Sequence, residues 1–466
     1  HAPLMVVKGD GSMMSSDACL IRPVETVLSG PAASIAGACR LSGIRDALVL
    51  DMGGTTTDIA VVGNGQARIS KEGARVGEWQ TRVLAVDMWT LGLGGDSRIS
   101  IKDGAKISIG PGRVIPFSHA GALEPGLGEF LKKRMKISPQ KIKASARTFF
   151  TLRKRPEIKM TDSETRLMDR LDNRVLDLEG IHREINPFLD IKGLVRQGAL
   201  MEVGFTPTDL LHITGLCHLW DRNTAEASLF YLSHLIEETP AKLQKKIQGA
   251  LNQSLALHMA AKCLMEDKEI SRHWNEKNQV FLNQMLGQRD KRLISMDLQI
   301  KKPIVAVGAP AHALLPRAVK QLGASLVVPP HAEVANAFGA ITGKIVESAS
   351  VLIRPASPDG YVLVAPGLQK KCFSLADAIR LAEEYSGNHA AKMVCTGGGK
   401  NLKTDLMKET HLAPLADGWG EPVLIEMRVT ATVSGSPAHG QGHDHGLFEP
   451  TAAEERNPNG SLPISD

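Results

Sequence analysis

The segment DMGGTTTD, residues 51–58, limits what this chain can fold into more than any other stretch. It follows the short apolar run ALVL at 47–50, so it reads as the end of a buried strand running into a glycine turn. Gly53 and Gly54 allow the backbone to turn sharply there and to bring bare N–H groups against phosphate oxygens. Thr55, Thr56 and Thr57 add hydroxyl donors. Asp51 at the strand end and Asp58 just past the turn are placed to hold a hydrated Mg²⁺ or to orient an attacking group, which makes them the candidate catalytic and metal-binding residues. Taken alone, the segment is as well explained by a hairpin turn, with the threonines as β formers and Asp58 as a surface charge.

Two further glycine loops weigh against that plain reading. LGLGGDS at 91–97 places Gly94, Gly95, Asp96 and Ser97 in one turn, with Asp87 upstream at a strand end. VGAPAHALLPRAV, beginning at Val307, is a strand-to-helix corner whose Gly308, Ala309 and Pro310 are small enough for a flat adenine or ribose to approach the backbone. Singly, the first reads as an ordinary loop and the second as a plain βα corner. His312, in the first turn of that helix, is read as a structural histidine before a ligand contact.

The rest of the chain supplies an α/β frame. SGPAASIAGACRL, from Ser29, reads as a helix with one almost bare face of small residues. TDIAVVGNGQARIS reads as two strands joined by a tight turn at Asn64 and Gly65. The texture from about Leu131 to Glu269 is helical, with a capping-box spacing from Thr161 to Glu164. Strand, helix, strand and helix then follow through PIVAVGAP, AHALLPRAVKQLG, ASLVVPP and EVANAFGAITGKIV. Ser374 is placed to cap a later helix.

Taken in order, SGPAASIAGA, DMGGTTTDIAVV, GLGGDS, IGPGRVIP, FTPTD and VGAPAHALLPRAVKQLGASLVVPPHAEVANAFGAITGKI resemble the hydantoinase A and oxoprolinase family, a branch of the superfamily of actin, hexokinase and the Hsp70 ATPase. The resemblance runs over roughly residues 1–345. It implies an actin-like ATPase domain of ribonuclease H-like α/β class, with a helical insertion and a small C-terminal α+β region. The expected division is 1–130 for the first part of the ATPase domain, 131–300 for the helical insertion, 301–348 for the adenosine loop and connector helix, 349–436 for the α+β region and 437–466 for a disordered tail. By the same resemblance DMGGTTTD is the second phosphate loop and VGAPAHA the adenosine loop. Nucleotide is then expected at Gly53, Gly54, Thr55, Thr56, Thr57, Gly94, Gly95, Gly308, Ala309 and Pro310. Asp87, Asp96, Ser97 and His312 are expected beside substrate or behind the ligands. The small-residue helices at 31–41 and 333–345 are the expected crossing connectors. FTPTD also reads as a plain helix start, with Thr206 as cap, Pro207 first and Asp209 facing the exposed amides.

The resemblance implies ATP and Mg²⁺ as cofactors and a small-molecule cyclic amide as substrate, opened by water after phosphorylation of the amide oxygen. Two alternatives stand beside it: a subunit of an ATP-dependent ketone carboxylase, and a nucleotide-binding regulatory subunit without catalysis. The family's other phosphate loop, an Asp and Gly-Gly-Thr turn near the N-terminus, has no counterpart here, and the chain begins with His1. Both point to a missing N-terminal domain or to a partner subunit that supplies it.

Other classes are disfavoured. A net charge of +5 over 466 residues argues for neither nucleic acid nor membrane. The basic stretch from Lys132 to Lys159 has no interleaved aromatics and reads as a solvated helical face. Six scattered cysteines signal neither a zinc site nor a disulfide framework, which fits a reducing cytoplasm. His439, His443 and His445 lie in a glycine-rich tail and read as an adventitious metal trap.

Overall fold

The computed structural model describes residues 4–70, 72–76, 79–102, 106–157, 159–267, 270, 274–286, 297–356, 359–413 and 423–437. The expected tail apart from Pro437, which ends a strand, lies outside them together with its histidines. The chain forms two compact units, one of residues 6–14 and 18–343, the other of 1–5, 15–17 and 344–466.

The larger unit is built on a sheet of β1 (Ala47–Met52), β2 (Thr57–Gly63), β3 (Met88–Leu91), β4 (Ile304–Val307) and β5 (Leu326–Val327), in the order β3-β2-β1-β4-β5. β1 runs antiparallel to β2, which runs antiparallel to β3, while β1, β4 and β5 are parallel. This is the order expected of a ribonuclease H-like, actin-like domain. The pleat explains why β1 is apolar throughout. Ala47 and Val49 face one core with Ala32, Ile35 and Ala335, whereas Leu48, Leu50 and Met52 face another with Leu255, Met259 and Ala260. β4 divides in the same way, with Val305 and Val307 on the first side and Ile304 and Ala306 on the second. At the β2 hairpin Asn64 and Gly65 both take positive φ (54° and 77°), as a tight primed turn requires.

On the first side lie α1 (Ser29–Ser42) and α2 (Ala335–Ile341). They cross at Gly37 and Gly339. A Cβ on Gly37 would stand 1.9 Å from the Ala335 carbonyl, and one on Gly339 would stand 1.9 Å from the Ala33 carbonyl. Only backbone against backbone fits there. The second expected connector begins as a short turn at Ala332–Val334 and becomes helical only from Ala335.

The expected helical insertion holds helices such as Arg222–Leu235 and Pro240–Met265, and the Thr161–Glu164 capping box is present. It also holds a mixed sheet of Phe149–Leu152, Val175–Asp177 and Leu200–Gly204, joined by Ile115–Pro116, which the sequence reading did not anticipate. Thr206, Pro207 and Asp209 form the helix start read from FTPTD. The buried Asp209 carboxylate also takes the amides of Phe117 (3.1 Å) and Ser118 (2.7 Å), pinning a second helix. AHALLPRAVKQLG is two helices, Ala311–Leu314 and Pro316–Gln321, because Pro316 has no N–H to continue the ladder.

The smaller unit is an antiparallel sheet in the order Gly399–Ala413, Val423–Pro437, Ile345–Pro355, Tyr361–Ala365, Leu368–Cys372. The helix Leu375–Thr396 packs on it, capped by Ser374 as expected. No described helix is long and apolar enough to cross a membrane.

Candidate functional site

Asp51, next to last in β1, stands in register with Asp58 on one side and Val307 on the other. The corner therefore lies at the carboxyl ends of the parallel strands β1 and β4, where open α/β sheets expose backbone to ligands. Between the two carboxylates the turn 53–56 is closed by the Gly53 amide donating to the Thr56 carbonyl (2.9 Å). Among the described residues no backbone carbonyl takes the amides of Gly54, Thr55 or Thr56. Gly53 is exposed and 54–56 are partly so, which leaves these adjacent donors to meet an anionic oxygen.

Thr57 differs from its neighbours. Its side chain is fully buried and its hydroxyl donates to the Leu93 carbonyl (2.6 Å), so it ties two loops together and does not face outward as expected. The second glycine loop is corrected in the same sense. The Gly94 amide donates to Ser97 Oγ (2.8 Å), the Gly95 amide to the Gly53 carbonyl (3.0 Å) and the Asp96 amide to the Gly54 carbonyl (2.6 Å). Gly94 and Gly95 thus have no amide left for phosphate. A Cβ on Gly94 would stand 2.5 Å from the Gly53 carbonyl, so glycine is needed there for close approach of the loops. The loop is a brace, anchored further by Thr208, whose amide and hydroxyl both donate to the Gly95 carbonyl (2.9 and 2.8 Å).

Ser97 is buried as part of that brace. Asp96 lies beside Gly54 but is clasped by Arg113 through Nη2 (3.0 Å) and Nε (3.3 Å), which neutralises its charge in place. Gly308 takes φ +92°, and a Cβ on it would stand 2.2 Å from the Met52 carbonyl and 3.1 Å from Asp51 Oδ1. The third loop therefore packs directly against the end of β1, and Pro310 reaches the neighbourhood of Gly95. The Ala309 carbonyl takes Nδ1 of the exposed His312 (3.1 Å). Asp87 is not brought to the corner. Thr90, three residues on, is the residue opposite Asp58, and Asp87 pairs instead with the buried Lys262 (3.2 Å).

Burial raises the Asp51 carboxyl above the ordinary carboxylate range, with the nearby Ser34 hydroxyl opposing that shift. Burial also raises Asp58, with a further push from the charge of Asp51, while the Thr90 hydroxyl (2.5 Å) opposes both. Among the described residues no cation offsets either shift. Two facing carboxylates in this state call for a shared proton or a bound cation. Among the described residues no third His, Cys, Asp or Glu joins them, so water and phosphate oxygens would complete the shell of a divalent ion, the habit of Mg²⁺.

Three contacts here escaped the sequence reading. Thr90 reaches Asp58 only through strand register, Ser34 comes near Asp51 only because α1 packs on β1, and Asn336 reaches Ser34 only through the helix crossing. The one available signal is that Ser34 and Asn336 are polar residues within small-residue helical faces.

A family model described as hydantoinase/oxoprolinase matches residues 1–116. No curated protein matches the chain. Among solved structures it is similar to nucleotide-free acetone carboxylase, from a study of ATP-dependent acetone carboxylation, with 12% identity and a TM-score of 0.50 over 94% of this chain and 53% of that one. It is also similar to ATP-dependent caprolactamase from Pseudomonas jessenii, with 15% identity and a TM-score of 0.49 over 93% of this chain and 53% of that one. At such identity the first likeness concerns fold alone, and the chain spans about half the length of either protein.

Proposed function

We propose, from the match of its first 116 residues to the hydantoinase/oxoprolinase family model, that this chain binds ATP at the Asp51–Asp58 corner and serves the ATP-dependent opening of a cyclic amide. One observation carries the reading: three loops far apart in sequence meet around a turn with open amides, flanked by paired carboxylates that have no cation partner among the described residues.

The amides of Gly54, Thr55 and Thr56 stabilise negative charge on the transferring phosphoryl group, and the braced loop 92–97 keeps them from moving as that charge develops. Arg113, half-exposed beside Gly54, offsets the charge of Asp96 at the same edge, so that carboxylate does not repel phosphate. Asp51 and Asp58 would hold Mg²⁺, which when bound neutralises phosphate charge. Gly308 and Ala309 leave room for the nucleoside. The amide oxygen attacks the terminal phosphorus and ADP departs. Water then adds at the activated carbon, the ring nitrogen takes a proton and leaves, and a second water frees phosphate.

Substrate-dependent ADP release is the test. Asp51→Asn and Asp58→Asn are each expected to lower it by about 100-fold or more, the scale of losing transition-state charge stabilisation. Unchanged turnover in both variants removes the pair from the mechanism, and turnover that needs bicarbonate replaces amide opening with carboxylation.

A further inference from the structure

In the smaller unit, β6 (Gly399–Ala413) pairs along one side with β7 (Val423–Pro437), and among the described residues no strand takes its other edge. An edge of this kind presents a row of backbone donors and acceptors that can template another strand, and proteins blunt it by keeping it short or by lining it with like charges. The opposite edge of the same sheet does both: Leu368–Cys372 is five residues long and carries Lys370 and Lys371. β6 does neither. Between its two bulges it pairs regularly with β7 over nine residues, Lys403 to His411. Along that run Lys403 and Lys408 are balanced by Asp405 and Glu409. At its middle Leu406 and Met407 are 49% and 54% exposed.

Alternation fixes the side that each residue takes. Thr404, Leu406 and Lys408 stand opposite the buried Val433, Ala431 and Val429, on the side of the helix Leu375–Thr396, where Lys408 Nζ meets Glu383 (2.6 Å). Lys403, Asp405, Met407 and Glu409 take the open side. Two copies of one strand that pair antiparallel about a two-fold axis bring together only residues of the same side. With the axis at Leu406, residues equally far before and after it meet. Leu406 then faces its own copy, Asp405 faces Met407, and Lys403 faces Glu409 of the second copy at both ends of the contact. An axis one residue earlier sets Asp405 against itself, and one residue later sets Asp405 against Glu409, like charges that destabilise a strand pair. The middle of β6 is thus complementary to itself.

We propose that β6 is a homodimerisation edge: two copies of this chain pair antiparallel through residues 403–409, about an axis at Leu406, and join their smaller-unit sheets into one. Seven paired residues span about 24 Å. That is a small interface, so association is expected with a dissociation constant on the order of tens of micromolar. The inference goes beyond the nucleotide reading and does not depend on it.

Sedimentation velocity on the full chain, at concentrations from well below to well above that value, tests it. The expected result is a reversible monomer–dimer equilibrium. Leu406→Lys sets two like charges face to face on the axis and is expected to weaken the dimer by about tenfold or more. Lys403→Glu alone and Glu409→Lys alone each turn both end contacts from attractive to repulsive and are expected to weaken it comparably. An equal mixture of these two single variants is expected to associate as the original chain does, because each copy then presents the charge that the other lacks. Within one chain the two positions lie about 20 Å apart along the strand, so only a contact between copies can produce that rescue. A chain that stays monomeric at every concentration overturns the proposal, whatever else then covers the edge. A dimer that keeps its affinity in Leu406→Lys, or single variants that fail to rescue each other in the mixture, overturn it as well.

Discussion

Asp58 is buried opposite Asp51, and burial together with that neighbour lifts its carboxyl above the ordinary range. The unfolded chain therefore releases this proton at lower pH than the native one. As pH rises from the unfolded value to the native value, the native state holds the extra proton and stability falls; above the native value the loss is complete. Neutral pH lies on the costly side. Asp58→Asn keeps an acceptor for the Thr90 hydroxyl and removes the charge, so it is expected to raise Tm at pH 7 by about 2–4 °C while ADP release is lost. The gain should vanish at a pH where both carboxyls are protonated, and calorimetric scans at the two pH values check it; a lower Tm at pH 7 contradicts the assigned burial cost. Asp51, Asp58, Gly53 and Gly54 were legible in the sequence because their chemistry is specific to residue type. Thr57 was not separable from Thr55 and Thr56, since nothing in three identical adjacent residues marks which one enters the strand and which stay in the turn. Gly94 and Gly95 look like phosphate ligands for the same reason they are good braces: both roles need backbone without a Cβ.

The crossing of α1 and α2 was legible as two small-residue faces, because helical period and the absence of side chains are both written in sequence. Its polar pair was not, since no local pattern says that residues some 300 positions apart share a hydrogen bond. The sheet inside the insertion was missed for a different reason. Phe149–Leu152 and Val175–Asp177 are too short to show alternation above the helical texture around them. Basic residues that tempted a nucleic-acid reading are spent on acids in that region, as in Lys154–Glu157 (2.7 Å) and Arg155–Asp169 (2.8 Å). The element-scale prediction concerns glycine in a helix. Gly339→Ala forces a methyl group into the Ala33 carbonyl and must push the helices apart, at an expected cost of about 3 kcal/mol. Gly249→Ala, in the helix Pro240–Met265 with open space around it, is expected to stabilise by up to about 1 kcal/mol. Denaturant melts of the two variants give the contrast, and equal effects mean that helix propensity alone governs both sites.

On the scale of the molecule, the corner exists only when the larger unit is complete. The carboxylate turn precedes the insertion, the brace is anchored by Thr208 within it, and Gly308 returns after it to pack on Met52. The proposed nucleotide binding would for that reason be a property of the assembled unit and not of any one motif, yet its footprint on the backbone should be narrow. Amides that already have partners gain little from a ligand, whereas amides without one are where phosphate contacts appear. With Mg-ATP at a hundred times its dissociation constant, opening events that release ligand become about 100-fold rarer. Hydrogen exchange is therefore expected to slow by up to that factor in peptides containing Gly54, Thr55 and Thr56. Resolved to single amides, Gly94, Gly95 and Asp96 should change far less, because their hydrogen bonds to Ser97, Gly53 and Gly54 exist without ligand. Strong new protection in the 92–97 loop with none at 54–56 would reverse the roles of brace and cradle and move the phosphates to the second glycine loop.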